Sequence, residues 1–172
     1  MFTMQTNIQN IYIDTCFFQG YLWGKEDEKK YAKYILSKIE SNVKNHPDIH
    51  VKIPFIVVGE LINNLIRENF EQGVREEIMY KFFDLLNDLR ADITPPNKCC
   101  YAKAKLLIDQ DCYLAENATD ILIVSCALCD KDSAFLLTDD SLLLESDSLK
   151  KIERDMREEG KRSRQLKITN EF

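Results

Sequence analysis

The sequence predicts an α/β fold of three layers (α/β/α), with helices on both sides of a central, mostly parallel sheet. Three observations predict it. β-rich runs alternate with amphipathic helical stretches, the order that a parallel sheet with crossover helices requires. The chain has 172 residues, 45% apolar and 30% charged, enough for one domain with a substantial core. Acidic residues recur where a strand ends or a helix begins, and in parallel sheets those positions gather along one edge.

The first strand is Asn10-Ile11-Tyr12-Ile13, closed by the carboxylate of Asp14. Trp23-Gly24 then breaks the chain. Over residues 25–45, Tyr31, Tyr34, Ile35, Ile39 and Val43 recur at spacings of three and four, an amphipathic helix ended by Pro47. Residues 49–58 (IHVKIPFIVV) read as a second strand, with Pro54 tolerated where a strand begins or runs along an edge. The period then switches, and residues 59–70 form a helix stopped near Gly73. Residues 74–91 form another, which puts Phe82 and Phe83 in core or helix-hairpin packing. Ile93-Thr94-Pro95-Pro96 is a connector or short edge strand, and a helix follows over residues 98–107 or a little beyond. Asn117 or Thr119 caps a helix that runs to about Cys129. Residues 134–138 (AFLLT) make a buried strand ending on Asp139-Asp140. Residues 141 to about 160 are helical, and residues 166–169 make a last short strand. No internal repeat or linker divides the chain. Residues 1–172 therefore form one domain, with a motif-bearing core at about 11–145 and a basic helical extension at about 146–172.

Composition excludes several classes. Five Gly and four Pro exclude collagen-like and low-complexity chains, and recurring apolar clusters exclude a wholly disordered one. The balance of 23 basic to 29 acidic residues, net −6, excludes a protein that coats nucleic acid by broad attraction. It leaves open an enzyme that holds a metal with its acids. The N-terminal stretch MFTMQTNIQN lacks the basic-then-apolar pattern of a signal peptide. The longest near-apolar run spans nine residues, 121–129, whereas a membrane span needs roughly 20. The expectation is a cytoplasmic protein without membrane association, whose cysteines (Cys16, Cys99, Cys100, Cys112, Cys126 and Cys129) are free thiols. Cys126 and Cys129 form a CxxC, read as helix interior because no second CxxC or His stands at zinc spacing.

The candidate site residues are acids. Asp14 ends the first strand, Glu60 and Asp120 start helices, and Asp139 and Asp140 end a later strand. Carboxylates brought together repel one another unless a proton or a cation intervenes. An oxygen-only cluster suits a hard divalent ion such as Mg²⁺ or Mn²⁺. Such an ion can activate water and steady the charge on a phosphodiester. Taken singly, each acid is also an ordinary helix cap or turn residue.

Four blocks in order resemble the PIN domain family: Ile11-Tyr12-Ile13-Asp14-Thr15, Ile56-Val57-Val58-Gly59-Glu60-Leu61, Thr119-Asp120-Ile121-Leu122-Ile123, and Leu136-Leu137-Thr138-Asp139-Asp140. The resemblance implies a PIN-like three-layer fold and Mg²⁺- or Mn²⁺-dependent cleavage of RNA. It implies Asp14, Glu60, Asp120 and Asp140 as the catalytic acids, with Asp139 able to share or take the fourth role. Thr15 would orient Asp14, and Thr138 would support the Asp139-Asp140 loop. It also implies a possible antitoxin protein partner and a possible homodimer. Two positions depart from the family pattern: Cys16 stands where Asn or Ser is usual, and Ala118 where Gly is. The chain is also longer than compact toxin-type members. The alternatives are an RNA-binding or scaffold module of the same fold without catalysis, and a structure-specific DNA nuclease.

Other residues are read more plainly. His46 and His50 flank Pro47 and match no motif block, which suits a loop or strand edge. Phe17, Phe18, Tyr21, Leu22 and Trp23 are either first-loop packing, a base-stacking surface or a partner groove. Residues 150–167 carry eight Lys/Arg against four acids, a local +4 that leaves −10 elsewhere. Within them Lys161, Arg162 and Arg164 are candidate phosphate contacts, the alternative being a solvated helix face with Lys151–Asp155 and Glu158–Arg162 pairs.

Overall fold

The computed structural model describes residues 9–110 and 117–172. Cys112 and the reading of residues 1–8 as not a signal peptide lie outside the described residues. The sheet has five strands in the order β3-β2-β1-β4-β5, formed by β1 (Gln9–Ile13), β2 (Ile49–Pro54), β3 (Asp92–Thr94), β4 (Ser133–Leu137) and β5 (Lys167–Thr169). Every pairing is parallel. In β1, Ile11, Tyr12 and Ile13 are all buried, as a central strand covered on both faces demands. β1 pairs with β2 on one side (Ile11 opposite Val51) and with β4 on the other (Ile13 opposite Leu137). The chain winds outward from β1 in both directions. The crevice beyond the carboxyl ends of β1 and β4 is thus a topological switch point, where ligands bind in open α/β sheets.

Helices flank the sheet: α1 (Thr15–Trp23), α2 (Glu26–Asn45), α3 (Phe55–Arg67), α4 (Gln72–Asp88), α5 (Lys98–Gln110), α6 (Ala118–Cys129), α7 (Ser141–Glu145) and α8 (Asp147–Glu158). Three of them correct the sequence reading. The aromatic stretch after Asp14 is not a loop but α1, which buries Phe17, Phe18 and Leu22. The second strand ends at Pro54, and Ile56-Val57-Val58 begins α3. β-branched residues cost a helix only tenths of a kcal/mol each. Burying Val57, Val58, Leu61 and Leu65, which share one helical face, outweighs that. The long C-terminal helix is two, because Ser146 accepts a hydrogen bond from the Leu149 amide and so caps α8. Phe82 is core as expected, but Phe83 is 46% exposed.

The thiols are also corrected. Cys99 at the start of α5 and Cys129 at the end of α6 form a disulfide, with Cα atoms 5.9 Å apart. Chain separation hid this pair, because only the tertiary packing of α5 against α6 brings the two within bonding reach. Cys16, Cys100 and Cys126 are free. Among the described residues, no helix is long and apolar enough to cross a membrane.

Arg162 is the largest departure in the C-terminal extension. Its side chain is buried and cannot be a phosphate contact. Its guanidinium donates to the carbonyls of Ala127 (3.0 Å), Leu128 (2.9 Å), Asp130 (3.1 Å) and Ser133 (2.7 Å). These include buried carbonyls of the last turn of α6, where a cation also complements the helix dipole. Arg162 therefore pins α6 against β4. Its nearest acid is Glu153, not Glu158.

The turn between α1 and α2 is set by space. A Cβ on Gly24 would lie 2.6 Å from the Gly20 carbonyl oxygen and 2.8 Å from the Gly20 Cα, both backbone atoms of α1. Gly24→Ala is expected to lower unfolding stability by roughly 1–3 kcal/mol, as overpacking against rigid backbone does. Urea denaturation of the two proteins, at an unchanged m-value, measures it.

Candidate active site

The site is built from strand ends and helix starts. Asp14 follows β1 directly and is the N-cap of α1, its carboxylate accepting from the Thr15 amide at 2.6 Å. The same carboxylate accepts from the Thr138 hydroxyl, just past β4, at 2.7 Å, and from the Cys16 thiol at 3.5 Å. The adjacent ends of β1 and β4 are thereby tied through one buried acid. Thr15 reaches two acids: its amide donates to Asp14, and its hydroxyl donates to Glu60, in the second turn of α3 rather than at its start. Asp120 lies in the first turn of α6, which Asn117 caps by accepting from the Thr119 and Asp120 amides. Asp140 caps α7 by accepting from the Leu142 amide at 2.7 Å, and its own amide donates to Thr138.

A single cavity of about 890 Å³ is lined by Asp14, Glu60, Asp120, Asp139 and Asp140 together. The structure separates the last two. Asp120 feels the charges of Asp14, Asp140 and Glu60, and its side chain meets that of Asp140. Asp139 is exposed, and its carboxylate accepts from the Asn170 side chain at 3.3 Å. The converging set is thus Asp14, Glu60, Asp120 and Asp140. His46 and His50 do not line the cavity, nor do Lys161, Arg162 and Arg164. Phe17, Trp23 and Tyr31 do line it, and Trp23 packs edge-on against Phe70. α1 and the start of α2 supply much of the wall, which puts Phe17 and Trp23 at the cleft, one of the alternatives the sequence offered.

The electrostatics follow from geometry. Burial pushes the Asp14 carboxyl up, against the pull of the Thr138, Thr15 and Cys16 hydrogen bonds, and Asp140 adds repulsion. Burial raises Glu60, opposed by the Thr15 hydroxyl and helped by Asp14. Asp120 is pushed up to about 7, first by burial, then by Asp14, Asp140 and Glu60. Burial and the Asp14 charge push the Cys16 thiol well up, so it stays protonated and donates to Asp14 rather than acting as a thiolate. The Asp139 amide in turn donates to the Cys16 sulfur at 3.2 Å.

Among the described residues, no three His, Cys, Asp or Glu side chains are already drawn up around a point in the manner of a bound ion. The donor chemistry still fits a hard divalent cation. Four carboxylates share one crevice, and none takes part in the ion pairs found among the described residues. Asp120 feels the charges of the other three, a repulsion that a cation would relieve.

The sign of the resulting pH dependence is fixed. Asp120 holds its proton to about pH 7 in the folded protein, but only to about pH 3.9 when unfolded. The metal-free protein is therefore expected to lose stability as pH rises from about 4 to about 7. Asp120→Asn should flatten that slope, and Mn²⁺ should raise Tm more at pH 8 than at pH 5. Thermal melts in EDTA and in Mn²⁺ across this range check both.

No protein-family model matches the chain, and no curated protein matches it. A chain of the crystal structure of VapBC2 from Rickettsia felis, bound to a DNA fragment from its promoter, is similar in fold. The match covers 93% of this chain and 98% of that one, with a TM-score of 0.55 and 14% sequence identity. The likeness is one of architecture, and the chain has the PIN-like α/β fold with an all-parallel central sheet.

Proposed function

We propose that the protein is a divalent-cation-dependent endoribonuclease. The observation that carries this reading is the convergence of Asp14, Glu60, Asp120 and Asp140 on one crevice at the switch point of the sheet. Asp14, Glu60, Asp120 and Asp140 would hold one or two Mg²⁺ or Mn²⁺ ions. A bound ion supplies charge for the phosphodiester and lowers the pKa of a water. The rest falls to the chain's own groups. Thr138, the Thr15 amide and Cys16 fix the rotamer of Asp14, and the Thr15 hydroxyl fixes Glu60. Asp120, with its raised proton affinity, would give up its proton as the ion binds. In-line attack of water would leave 5′-phosphate and 3′-hydroxyl ends.

A role as the toxin of a toxin–antitoxin pair, with a protein antitoxin and a homodimer, belongs to the same reading. It is supported by the four motif blocks and by the shared fold with a chain of the VapBC2 complex. The open spacing of the acids favours a second reading, a binding module of the same fold without catalysis.

Purified protein with Mg²⁺ or Mn²⁺ should cut single-stranded RNA. Asp14→Asn should cut it at least roughly 100-fold more slowly, since loss of a metal ligand costs more than loss of its supporting shell. Undiminished cleavage by that variant contradicts the site, and cleavage of DNA with RNA left intact contradicts the substrate.

A further inference from the structure

The cavity of carboxylates is acidic, so the strand it cuts must be held elsewhere. The C-terminal basic stretch does not face it, and Arg162 is spent inside the fold. α2 offers the alternative. Its buried side is Ala32, Ile35, Leu36, Ile39 and Val43. Its opposite side presents Lys30, Lys33, Tyr34, Ser37, Lys38 and Ser41, all exposed, around a shallow depression of about 490 Å³. The spacing is three and four residues throughout, so these side chains form one stripe along the helix.

The stripe is concentrated positive charge in an acidic protein. Between residues 29 and 39 there are four lysines and no acid, although the whole chain is −6. Its nearest neutralising contact is an exposed pair, Lys30 with Glu26 at 3.5 Å, of the kind that water screens. Lys38 sits 4.6 Å from the centre of the Tyr34 ring and 3.0 Å from the Phe172 carbonyl oxygen. The lysines thus flank an aromatic ring that is 57% exposed. The stripe begins next to the candidate active site, because the acidic first turns of the same helix, with Asp27, Glu28, Tyr31 and Ala32, line the carboxylate cavity.

We propose that this face of α2 is a binding track for single-stranded RNA, with Lys30, Lys33 and Lys38 against successive phosphates and Tyr34 stacked on a base. Resting on the nuclease reading, it names where that site holds its substrate. Lysine neutralises phosphate regardless of sequence, and Ser37 and Ser41 add hydroxyl donors. An exposed aromatic ring between them calls for an unstacked base, which a single strand presents and a duplex does not. From Lys30 to Lys38 the helix rises about 12 Å, room for a short extended segment that enters the cavity at the helix N-terminus.

The test is fluorescence anisotropy of a labelled ten-nucleotide oligouridine with the full chain in EDTA, where no cleavage occurs. Wild type is expected to bind with marked salt dependence. Lys30→Gln/Lys33→Gln should weaken binding roughly ten-fold and reduce the salt slope by about 1.4, at about 0.7 per phosphate on a single strand. Tyr34→Ala should weaken it about five-fold or more. A charge-matched control, Lys81→Gln/Lys105→Gln, should bind as wild type does. Failure of the wild type to bind, equal loss in the control, or unchanged affinity and slope in the α2 variant overturns the track. Binding to oligothymidine but not oligouridine overturns the RNA assignment. Binding that depends on α2, with no cleavage when Mn²⁺ is added, leaves the track standing and removes the nuclease reading. Cleavage with binding indifferent to α2 does the reverse.

Discussion

Repulsion among Asp14, Glu60, Asp120 and Asp140 is the constraint around which the molecule is organised. Carboxylates gathered in one partly buried crevice repel one another, and a cation relieves that repulsion. The fold nonetheless brings them together from four separate elements: the end of β1, the second turn of α3, the first turn of α6 and the cap of α7. It tolerates the strain because each backbone position is fixed for other reasons. β1 is locked between β2 and β4, α3 is held by its apolar face, and the far end of α6 is clamped by Arg162. The raised proton affinity of three of the four acids comes first from burial, and their mutual repulsion adds to it.

Caps do double duty in this arrangement. Asp14 and Asp140 accept amide hydrogen bonds at helix starts, which by itself is ordinary helix chemistry. The other oxygen of Asp14 accepts from Thr138 and Cys16, and Thr138 links the two caps by donating to Asp14 while accepting from the Asp140 amide. Cys16 enters the same network through its protonated thiol, weakly bonded to Asp14 and accepting from the Asp139 amide. A residue that departs from the expected Asn or Ser is thus still wired into the loop that carries the fourth acid.

The sheet and the acids were legible in the sequence because both leave local signals. A central strand buried on two faces reads as an unbroken apolar run, as Ile11-Tyr12-Ile13 and Leu136-Leu137 do. The choice between Asp139 and Asp140 was not legible, since adjacent residues share every sequence cue and only side-chain direction tells them apart. α1 was missed because nearly all its sides are apolar or small, leaving no amphipathic period to read. The Val57-Val58 pair misled because β-branched residues favour strands until tertiary burial decides otherwise. Arg162 and the Cys99–Cys129 bond depend on partners roughly 30 residues away, which no local pattern encodes.

Charge is distributed accordingly: acids in the crevice, lysines on the outer face of α2, and a C-terminal Arg turned inward as a clamp. A net charge of −6 describes none of these regions. The central claim is that the acids are a cation site. Calorimetric titration of Mn²⁺ into the metal-free protein at pH 6, in buffers of different ionisation enthalpy, tests it most directly. The account predicts saturable binding that releases roughly one proton, largely from Asp120, and that is lost in Asp14→Asn. No binding at millimolar Mn²⁺, or an isotherm unchanged in that variant, would contradict it.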